Sequence, residues 1–274
     1  MSDRAALAAL SAHFTPDQVA ADLARHSPDD VWQQRVRLDN TGRLAQYRPD
    51  RELSSALLSC RFVIPSDAHW PAALADLGPD CPLGLWVRGH DRLPALTAST
   101  IVVTGNRMAS MKATDRAKAF AAAFAEAGHT VAATLAYGVD ATAHQAAGLV
   151  GGTTLAVLPS GLDRSYPHTH APFLNSVSEN GGAVVSLVPP GTQTSGIRLK
   201  ASAALLAALS RTVLLIEALD HTEALRTAET AIALKRPLLA VPGDGSVRSE
   251  GNARLLAEQL ALPCPDPARA LELL

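Results

Sequence analysis

The sequence contains few of the residues that mark secreted or membrane-spanning proteins. Its cysteines, Cys60, Cys81 and Cys264, are odd in number and far apart, which is typical of reduced thiols in the cytoplasm rather than of a disulfide framework. No apolar run approaches the length of a membrane span, and the apolar stretch that follows Met1 is too short for a signal peptide. We therefore expect a cytoplasmic protein that does not associate with membranes.

Charged residues are also scarce, at 18% of the chain, and the formal net charge is -2. A globally basic polyanion binder is thereby excluded, so any polyanion would need a local positive patch. The glycine-rich fingerprint G-x-G-x-x-G is absent as well. What the 274 residues do contain is hydrophobic side chains, at 47%, which suffice for the core of one large domain and a smaller one.

The beginning of the chain predicts a small helical domain. Apolar residues recur there with helical spacing, and Thr15-Pro16-Asp17 is typical of a helix start, with proline at the first helical position. A polar connection and a further short helical stretch follow. We therefore predict two domains, residues 1–58 and residues 59–274.

In the second domain, short apolar runs alternate with helical patterns. This alternation predicts an α/β fold with a doubly wound, mostly parallel sheet whose two faces are covered by helices. The predicted strands are residues 61–65, 83–88, 101–104, 130–134, 153–158, 183–187, 212–217 and 237–241. The predicted helices are residues 71–77, 112–126, 141–150, 171–179, 201–209, 223–234 and 252–260.

The turn Gly105-Asn106-Arg107 follows the first strand of the regular alternation. In open parallel sheets ligands bind at this carboxyl edge. Gly105 would let the chain turn sharply and an anion approach the backbone, and the guanidinium of Arg107 suits phosphate. Lys112 and Arg116, one helical turn apart, would extend a basic strip. The alternative is a strand-to-helix turn with solvated cations.

The next turns of the same edge carry further polar side chains. Asp140 is predicted to cap the helix over residues 141–150; as an alternative, Asp140 and His144 would form a metal or acid–base pair. No third ligand has suitable spacing, and we expect no metal site. Tyr166, in the third loop of this edge, would either stack on a base or anchor the loop.

The second domain carries an ordered series of motifs. They are Gly105-Asn106-Arg107, Tyr137-Gly138-Val139-Asp140, Gly151-Gly152-Thr153, Gly161-Leu162-Asp163, Tyr166-Pro167 and Pro242-Gly243. In order and spacing this series resembles the DNA-processing protein DprA (Smf) family. The resemblance implies an extended Rossmann-like domain over residues 59–274, preceded by a SAM-like helical domain over residues 1–58.

For function, the resemblance implies a homodimer that binds single-stranded DNA in a basic pocket. Such proteins help load the RecA recombinase in natural transformation, so no catalytic residue and no cofactor are expected. Matched by position, Gly105, Asn106 and Arg107 would form the turn at the DNA pocket. Gly161 and Asp163 would line the neighbouring loop.

The sequence departs from the family in the loops that would complete this pocket. Where the family carries Arg-Asn-Arg, this chain has Ser202-Ala203-Ala204, and Arg198 and Lys200 upstream would partly compensate. A small Ser-Gly-Ser turn of the family is replaced by Thr222-Glu223-Ala224, whose carboxylate would repel phosphate. The predicted nucleic-acid-binding residues are Gly105, Asn106, Arg107, Lys112, Arg116, Gly161, Asp163, Arg198 and Lys200.

Two other functions stay open at the level of sequence. A degenerate relative would keep the fold and the dimer but act through a protein partner without binding DNA. A nucleotide-binding enzyme or sensor is less favoured. Glu217 and Glu223 offer carboxylates for it, but the Pro-Gly-Gly-x-Gly-Thr phosphate loop of nucleotide phosphoribohydrolases is absent.

Overall fold

The amino-terminal region is helical, as predicted. The computed structural model describes residues 1–90 and 92–274, and its first helices are α1 (Asp3–His13), α2 (Pro16–Leu23), α3 (Pro28–Leu38), α4 (Arg43–Gln46) and α5 (Pro49–Ala56). The predicted helix start at Thr15 is confirmed, because the Gln18 side chain accepts a hydrogen bond from the Thr15 N–H and Pro16 is the first helical residue.

These helices pack on each other and on the sheet. Ala5 of α1 and Leu53 of α5 belong to the same hydrophobic cluster as Phe62 and Trp86 of the following domain. Arg4 adds a two-pronged ion pair to Asp67, at 2.7 and 2.8 Å. The division at residue 58 therefore stays a prediction, because apolar packing crosses it.

The described residues form a nine-stranded sheet with the order β1-β2-β6-β5-β4-β3-β7-β8-β9. Its strands are β1 (Arg61–Val63), β2 (Leu85–Gly89), β3 (Thr100–Thr104), β4 (Thr130–Thr134), β5 (Thr154–Leu158), β6 (Ala183–Ser186), β7 (Thr212–Leu215), β8 (Leu238–Ala240) and β9 (Leu262–Pro263). Strands β1 and β2 pair antiparallel, β2 pairs antiparallel with β6, and every other pair is parallel. The predicted mostly parallel sheet is confirmed.

Helices cover both faces of this sheet. They are α6 (Leu93–Ala98), α7 (Met111–Glu126), α8 (Val139–Leu149), α9 (Ala171–Glu179), α10 (Gly196–Ala208), α11 (Glu223–Ala233), α12 (Glu250–Ala257) and α13 (Pro267–Glu272), with 3-10 turns at Ala72–Asp80, His168–His170 and Val247–Ser249. Along β3, Ile101 and Val103 pack with α7 and α8, whereas Val102 packs with α10 and α11. Successive residues of a strand face opposite sides, so the sheet is doubly wound, as predicted.

Three helix starts differ from the prediction by at least two residues, and α12 is one of them, beginning at Glu250 rather than at residue 252. Helix α10 begins at Gly196 rather than at residue 201, because the Ser195 hydroxyl accepts from the Arg198 N–H and caps a turn that periodicity alone does not mark. Helix α8 begins at Val139, directly after Gly138, whose φ is 78°.

The order of the strands places a switch point between β3 and β7. The chain runs outward from β3 through β4 and β5 to β6, then returns to β7 on the other side of β3. The loops after β3 and β7 thus leave in opposite directions and open a crevice at the carboxyl edge. Within the described ranges, no helix combines the length and apolar character needed to cross a membrane.

Candidate nucleic-acid interface

A cavity of about 470 Å³ lies at this switch point. It is lined by Thr104, Gly105, Asn106, Arg107, Met108, Thr134, Ala136, Asp140, Pro159, Tyr166, Leu199, Ser202, Ala203, Leu219, Thr222, Glu223, Ala224, Thr227 and Arg248. Its walls are largely apolar, and its charged lining side chains come from different loops. The carboxyl edge thus offers a concave site with a few convergent charges, which is the usual form of a ligand site.

Gly105 lets the loop after β3 pack closely on the end of β7. A Cβ at this position would lie 2.7 Å from both the Glu217 carbonyl oxygen and Val139 Cγ2. The Asn106 N–H donates to that same carbonyl at 2.7 Å. The predicted sharp turn is therefore present, and its glycine is required for contact between the two switch-point loops.

The buried side chain of Asn106 holds these loops together by hydrogen bonds. Its side chain is buried, and Nδ2 donates to Glu217 Oε2 at 3.1 Å and to the Arg248 carbonyl at 2.9 Å. Its Oδ1 accepts from the Leu219 N–H at 2.9 Å. The amide has two donor hydrogens, so both are already in use. Asn106 shapes the cavity wall but has no spare donor for a ligand.

The carboxylate of Glu217 also accepts hydrogen bonds from within the protein. Its carboxylate accepts from the Ser110 hydroxyl at 2.7 Å and from the Ser110 N–H at 3.1 Å, at the beginning of α7. A buried carboxylate is favourable there, because unpaired N–H groups and the helix dipole stabilise negative charge. With Asn106 on the same group, Glu217 is unsuited to act as the free catalytic carboxylate that a nucleotide-cleaving enzyme would need.

Arg107 faces a carboxylate across the cavity. Its Nη2 lies 3.6 Å from Glu223 Oε2, and the two side chains are 41% and 40% exposed. Glu223 stands in the first turn of α11, behind the capping residue Thr222. The acidic residue that departs from the family pattern is thus the direct partner of the predicted phosphate-binding arginine.

Lys112 and Arg116 lie apart from this cavity. They line a small depression beside the loop after β8, where Lys112 Nζ is 3.9 Å from Asp244 Oδ2. Arg116 Nη1 donates to the Pro242 carbonyl at 3.4 Å. The basic strip predicted from the sequence is therefore divided, with Arg107 in one concavity and the other two cations in another.

Arg198 and Lys200 flank the cavity from α10. Leu199, between them, lines the wall together with Ser202, one turn further on. Arg198 Nη1 donates to the Gln193 carbonyl at 2.6 Å, whereas Lys200 is exposed. Both cations lie at the rim rather than in the wall, and their role in binding stays a prediction.

Gly161 and Asp163 tie the loop after β5 to the loop after β6. The Gly161 N–H donates to the Thr192 carbonyl at 3.0 Å, and Asp163 Oδ1 accepts from the Gly191 N–H at 2.7 Å. A Cβ at Gly161 would lie 2.6 Å from the Pro189 carbonyl. Neither residue lines the cavity, so their contribution to the site is to fix its outer loops.

Arg248 is a cavity residue that the sequence analysis missed. It follows β8 in the 3-10 turn Val247–Ser249, and its Nη1 donates to the Met108 carbonyl at 2.7 Å. The loop after β8 leaves the same carboxyl edge, so the topology would have included it among the candidates. The cavity lining thus includes two arginines, Arg107 and Arg248.

The prediction that Asp140 caps helix α8 is wrong. The capping position is Gly138, and Asp140 lies inside the first turn, where Oδ1 accepts from Thr104 Oγ1 at 2.9 Å and Oδ2 from the Thr134 N–H at 3.0 Å. These donors at the ends of β3 and β4 hold the carboxylate at the cavity floor. The described residues contain no group of three or more His, Cys, Asp or Glu able to hold a metal ion.

We expect Asp140 and His144 to have opposite effects on stability in acid. Burial raises the pKa of Asp140 to about 6 from 3.8, so its contribution to the free energy of unfolding falls as pH rises through that interval. Burial lowers the pKa of His144 to about 4 from 6.5, so its contribution rises with pH. Each contribution is on the order of 3 kcal/mol, and the two largely cancel.

Urea unfolding near the two ends of this pH interval tests the cancellation. In Asp140→Asn only the contribution of His144 remains, so the free energy of unfolding should fall as the pH is lowered. In His144→Leu only the contribution of Asp140 remains, so the free energy of unfolding should rise as the pH is lowered. Slopes in both variants equal to that of the original protein would contradict the assignment.

The fold and the cavity define an α/β protein of the Rossmann-like, doubly wound class with a ligand crevice at its switch point. The chain belongs to the DNA recombination-mediator protein A family, a family of DNA-processing proteins, whose sequence profile matches residues 61–274. It is 34% identical over 213 residues to protein Smf of Escherichia coli, covering 77% of this chain and 56% of Smf. The chain spans about half the length of the curated relatives it matches.

Two solved structures share the fold. DNA processing protein A of Streptococcus pneumoniae superposes with a TM-score of 0.77 at 24% identity, covering 99% of this chain and 93% of that one. DNA processing protein A of Helicobacter pylori, described for its single-stranded DNA binding mode, superposes with a TM-score of 0.69 at 21% identity, over 77% of this chain and 94% of that one. The predicted family and Rossmann-like fold are confirmed.

Proposed function

We propose that this protein binds single-stranded DNA at the switch-point cavity and assists the loading of RecA onto it, as a cytoplasmic homodimer. The observation that carries the proposal is the presence of two arginines, Arg107 and Arg248, in the lining of one concave site formed by the family's characteristic turn. Arginine binds phosphate oxygens with a planar fork of donors, and apolar walls suit bases.

The site is expected to bind DNA weakly and with strong salt dependence. Glu223 lies 3.6 Å from Arg107, and an ion pair that is half exposed contributes little, about 0–1 kcal/mol, so phosphate can displace it. The carboxylate nevertheless stays near the bound phosphate and repels it. Binding should therefore be clearest at low ionic strength, where charge interactions are least screened.

Arg107→Ala is expected to weaken the binding of a single-stranded oligonucleotide about fivefold at low salt and to lower the salt slope by about 0.7. Fluorescence anisotropy at several salt concentrations measures both. Arg211→Ala is the matched control, because Arg211 is exposed and precedes β7, at the opposite edge of the sheet. Equal affinities of the Arg107 variant and the original protein would count against this site.

A second function, protein binding without DNA binding, is favoured by one observation. Two of the predicted cations, Arg107 and Lys112, each face a carboxylate, Glu223 and Asp244. If neither the original protein nor a Glu223→Gln variant binds single strands at low salt, the protein-binding function replaces the DNA-binding one.

The RecA part of the proposal has its own test. Addition of the protein should raise RecA ATP hydrolysis on single strands covered by single-strand-binding protein, because a loader relieves the block to RecA filament formation. Unchanged hydrolysis, with intact DNA binding, would remove RecA as the partner. Light scattering after gel filtration measures whether the protein is a dimer.

A further inference from the structure

We propose that Tyr137, supported by His170 and Phe173, is a stacking site for a nucleobase beside the phosphate site at Arg107. The inference rests on the proposed DNA binding and adds to it a specific chemical class of contact. The arginines account for contacts with phosphate and the apolar cavity walls for contacts with bases inside the cavity, but neither offers an aromatic face to a base outside it. An aromatic side chain at the same edge supplies the missing contact.

The turn that carries Tyr137 packs against the backbone of Asn106 and Arg107. Gly138, the following residue, fits so closely that a Cβ there would collide with the carbonyl oxygens of Asn106 and Arg107. The Val139 N–H donates to the Asn106 carbonyl at 3.3 Å. The loops after β3 and β4 are therefore in contact, and the tyrosine lies at the edge of that contact.

The ring of Tyr137 is held in one position. Its hydroxyl shares a hydrogen bond with Thr169 Oγ1 at 2.6 Å, and its ring meets the His170 ring edge-on, with centroids 4.6 Å apart and planes at 71°. His170 in turn meets Phe173 edge-on at 5.2 Å. Aromatic rings at such distances and angles attract each other, so the support is stable.

His170 is itself anchored to the sheet edge. Its Nδ1 lies 2.7 Å from the carbonyl oxygen of Leu135, the residue after β4. A carbonyl oxygen only accepts, so Nδ1 carries the hydrogen and donates. The histidine links the loop after β4 to the 3-10 turn beyond β5, and these two segments form the base of the stacking site.

Despite this support, Tyr137 remains 47% exposed. A tyrosine whose purpose is to anchor a loop would be expected to bury its ring, as most of the energy from an aromatic side chain comes from burial. His170 can cover at most one of the two ring faces. A rigid, accessible ring loses little conformational entropy when a base stacks on it.

The ligand is a base of a single strand. Bases in a duplex are already stacked and present no free face, whereas those of a single strand do. Stacking here is expected to tolerate any base, because every base has a π-face. Tyr166 lines the cavity itself and is a separate contact.

The test compares two oligonucleotides of equal length, oligo-dT and an abasic strand with the same number of phosphates. By anisotropy, Tyr137→Ala should bind oligo-dT about tenfold more weakly than the original protein and bind the abasic strand equally well. Tyr137→Phe should retain affinity for oligo-dT, because the ring remains. Leu149→Ala is the control, since Leu149 is 88% exposed at the end of α8.

The outcomes separate this inference from the proposed function. If the original protein binds neither strand, DNA binding fails and the inference with it. If Arg107→Ala weakens binding while Tyr137→Ala matches the original protein on oligo-dT, DNA binding stands and the stacking site is overturned. Equal losses on both strands for Tyr137→Ala would also overturn it, because they indicate a disturbed loop rather than a lost base contact.

Discussion

Asn106→Ala is expected to destabilise the protein by about 3–5 kcal/mol and to remove DNA binding. The Asn106 amide joins three segments, through Glu217 at the end of β7, Leu219 beyond it and Arg248 after β8. Its loss leaves the Leu219 N–H without its partner and takes one donor from a buried carboxylate. A buried polar group left unpaired costs more than an ordinary hydrogen bond contributes.

Thermal and urea unfolding measure this effect. In a chain of this length the Tm should fall by about 10 °C. Asn40→Ala is the matched control, because Asn40 is exposed in the loop before α4. A Tm for Asn106→Ala within the range of that control would show that these hydrogen bonds contribute little to stability.

Glu223→Lys is expected to tighten single-stranded DNA binding about tenfold at low salt. The slope of the logarithm of the binding constant against the logarithm of the salt concentration should become steeper by about 0.7. The substitution removes the carboxylate that lies 3.6 Å from Arg107 and adds a cation at the cavity wall. Glu223 also stands at the beginning of α11, where the helix dipole favours an anion. A phosphate would use the same favourable position, so the carboxylate competes with the ligand for it.

Glu223→Gln separates the two causes of this effect. It removes the repulsion without adding charge, so we expect a smaller gain of about threefold. In an Arg107→Ala background the gain should shrink, because part of the carboxylate's effect is exerted through Arg107. An unchanged affinity in both Glu223 variants would exclude the cavity from the DNA path, whatever the protein binds elsewhere.

The fold class could be predicted from the sequence because the patterns that indicate it are local. Each strand from β3 to β8 is a short apolar run bounded by turn residues, and each predicted helix between them exists. The prediction left out the short elements α6, β9 and α13 and misplaced several helix starts. Ser195 begins α10 early through a side-chain cap, and Gly138 begins α8 early with a left-handed backbone, two signals that hydrophobic periodicity does not contain.

The site was predictable only in part. The sequence indicated the edge at which the cavity lies and the turn at Arg107, since loops that follow parallel strands must share one side of the sheet. It joined Lys112 to Arg107 because they are close in the chain, whereas the structure separates them into two concavities. It also missed Arg248, which is distant in sequence but leaves the same edge after β8.

The sequence by itself determined the doubly wound α/β fold, the family and the sheet edge at which the cavity lies, because alternation, turn residues and motif order are properties of neighbouring residues. Only the tertiary structure decided that the Asn106 side chain joins three segments, that Glu223 pairs with Arg107 and that the turn at Gly138 packs against the backbone of Asn106 and Arg107. These relations join loops from different strands. Their geometry depends on how β3, β4 and β7 pack, which no local pattern encodes.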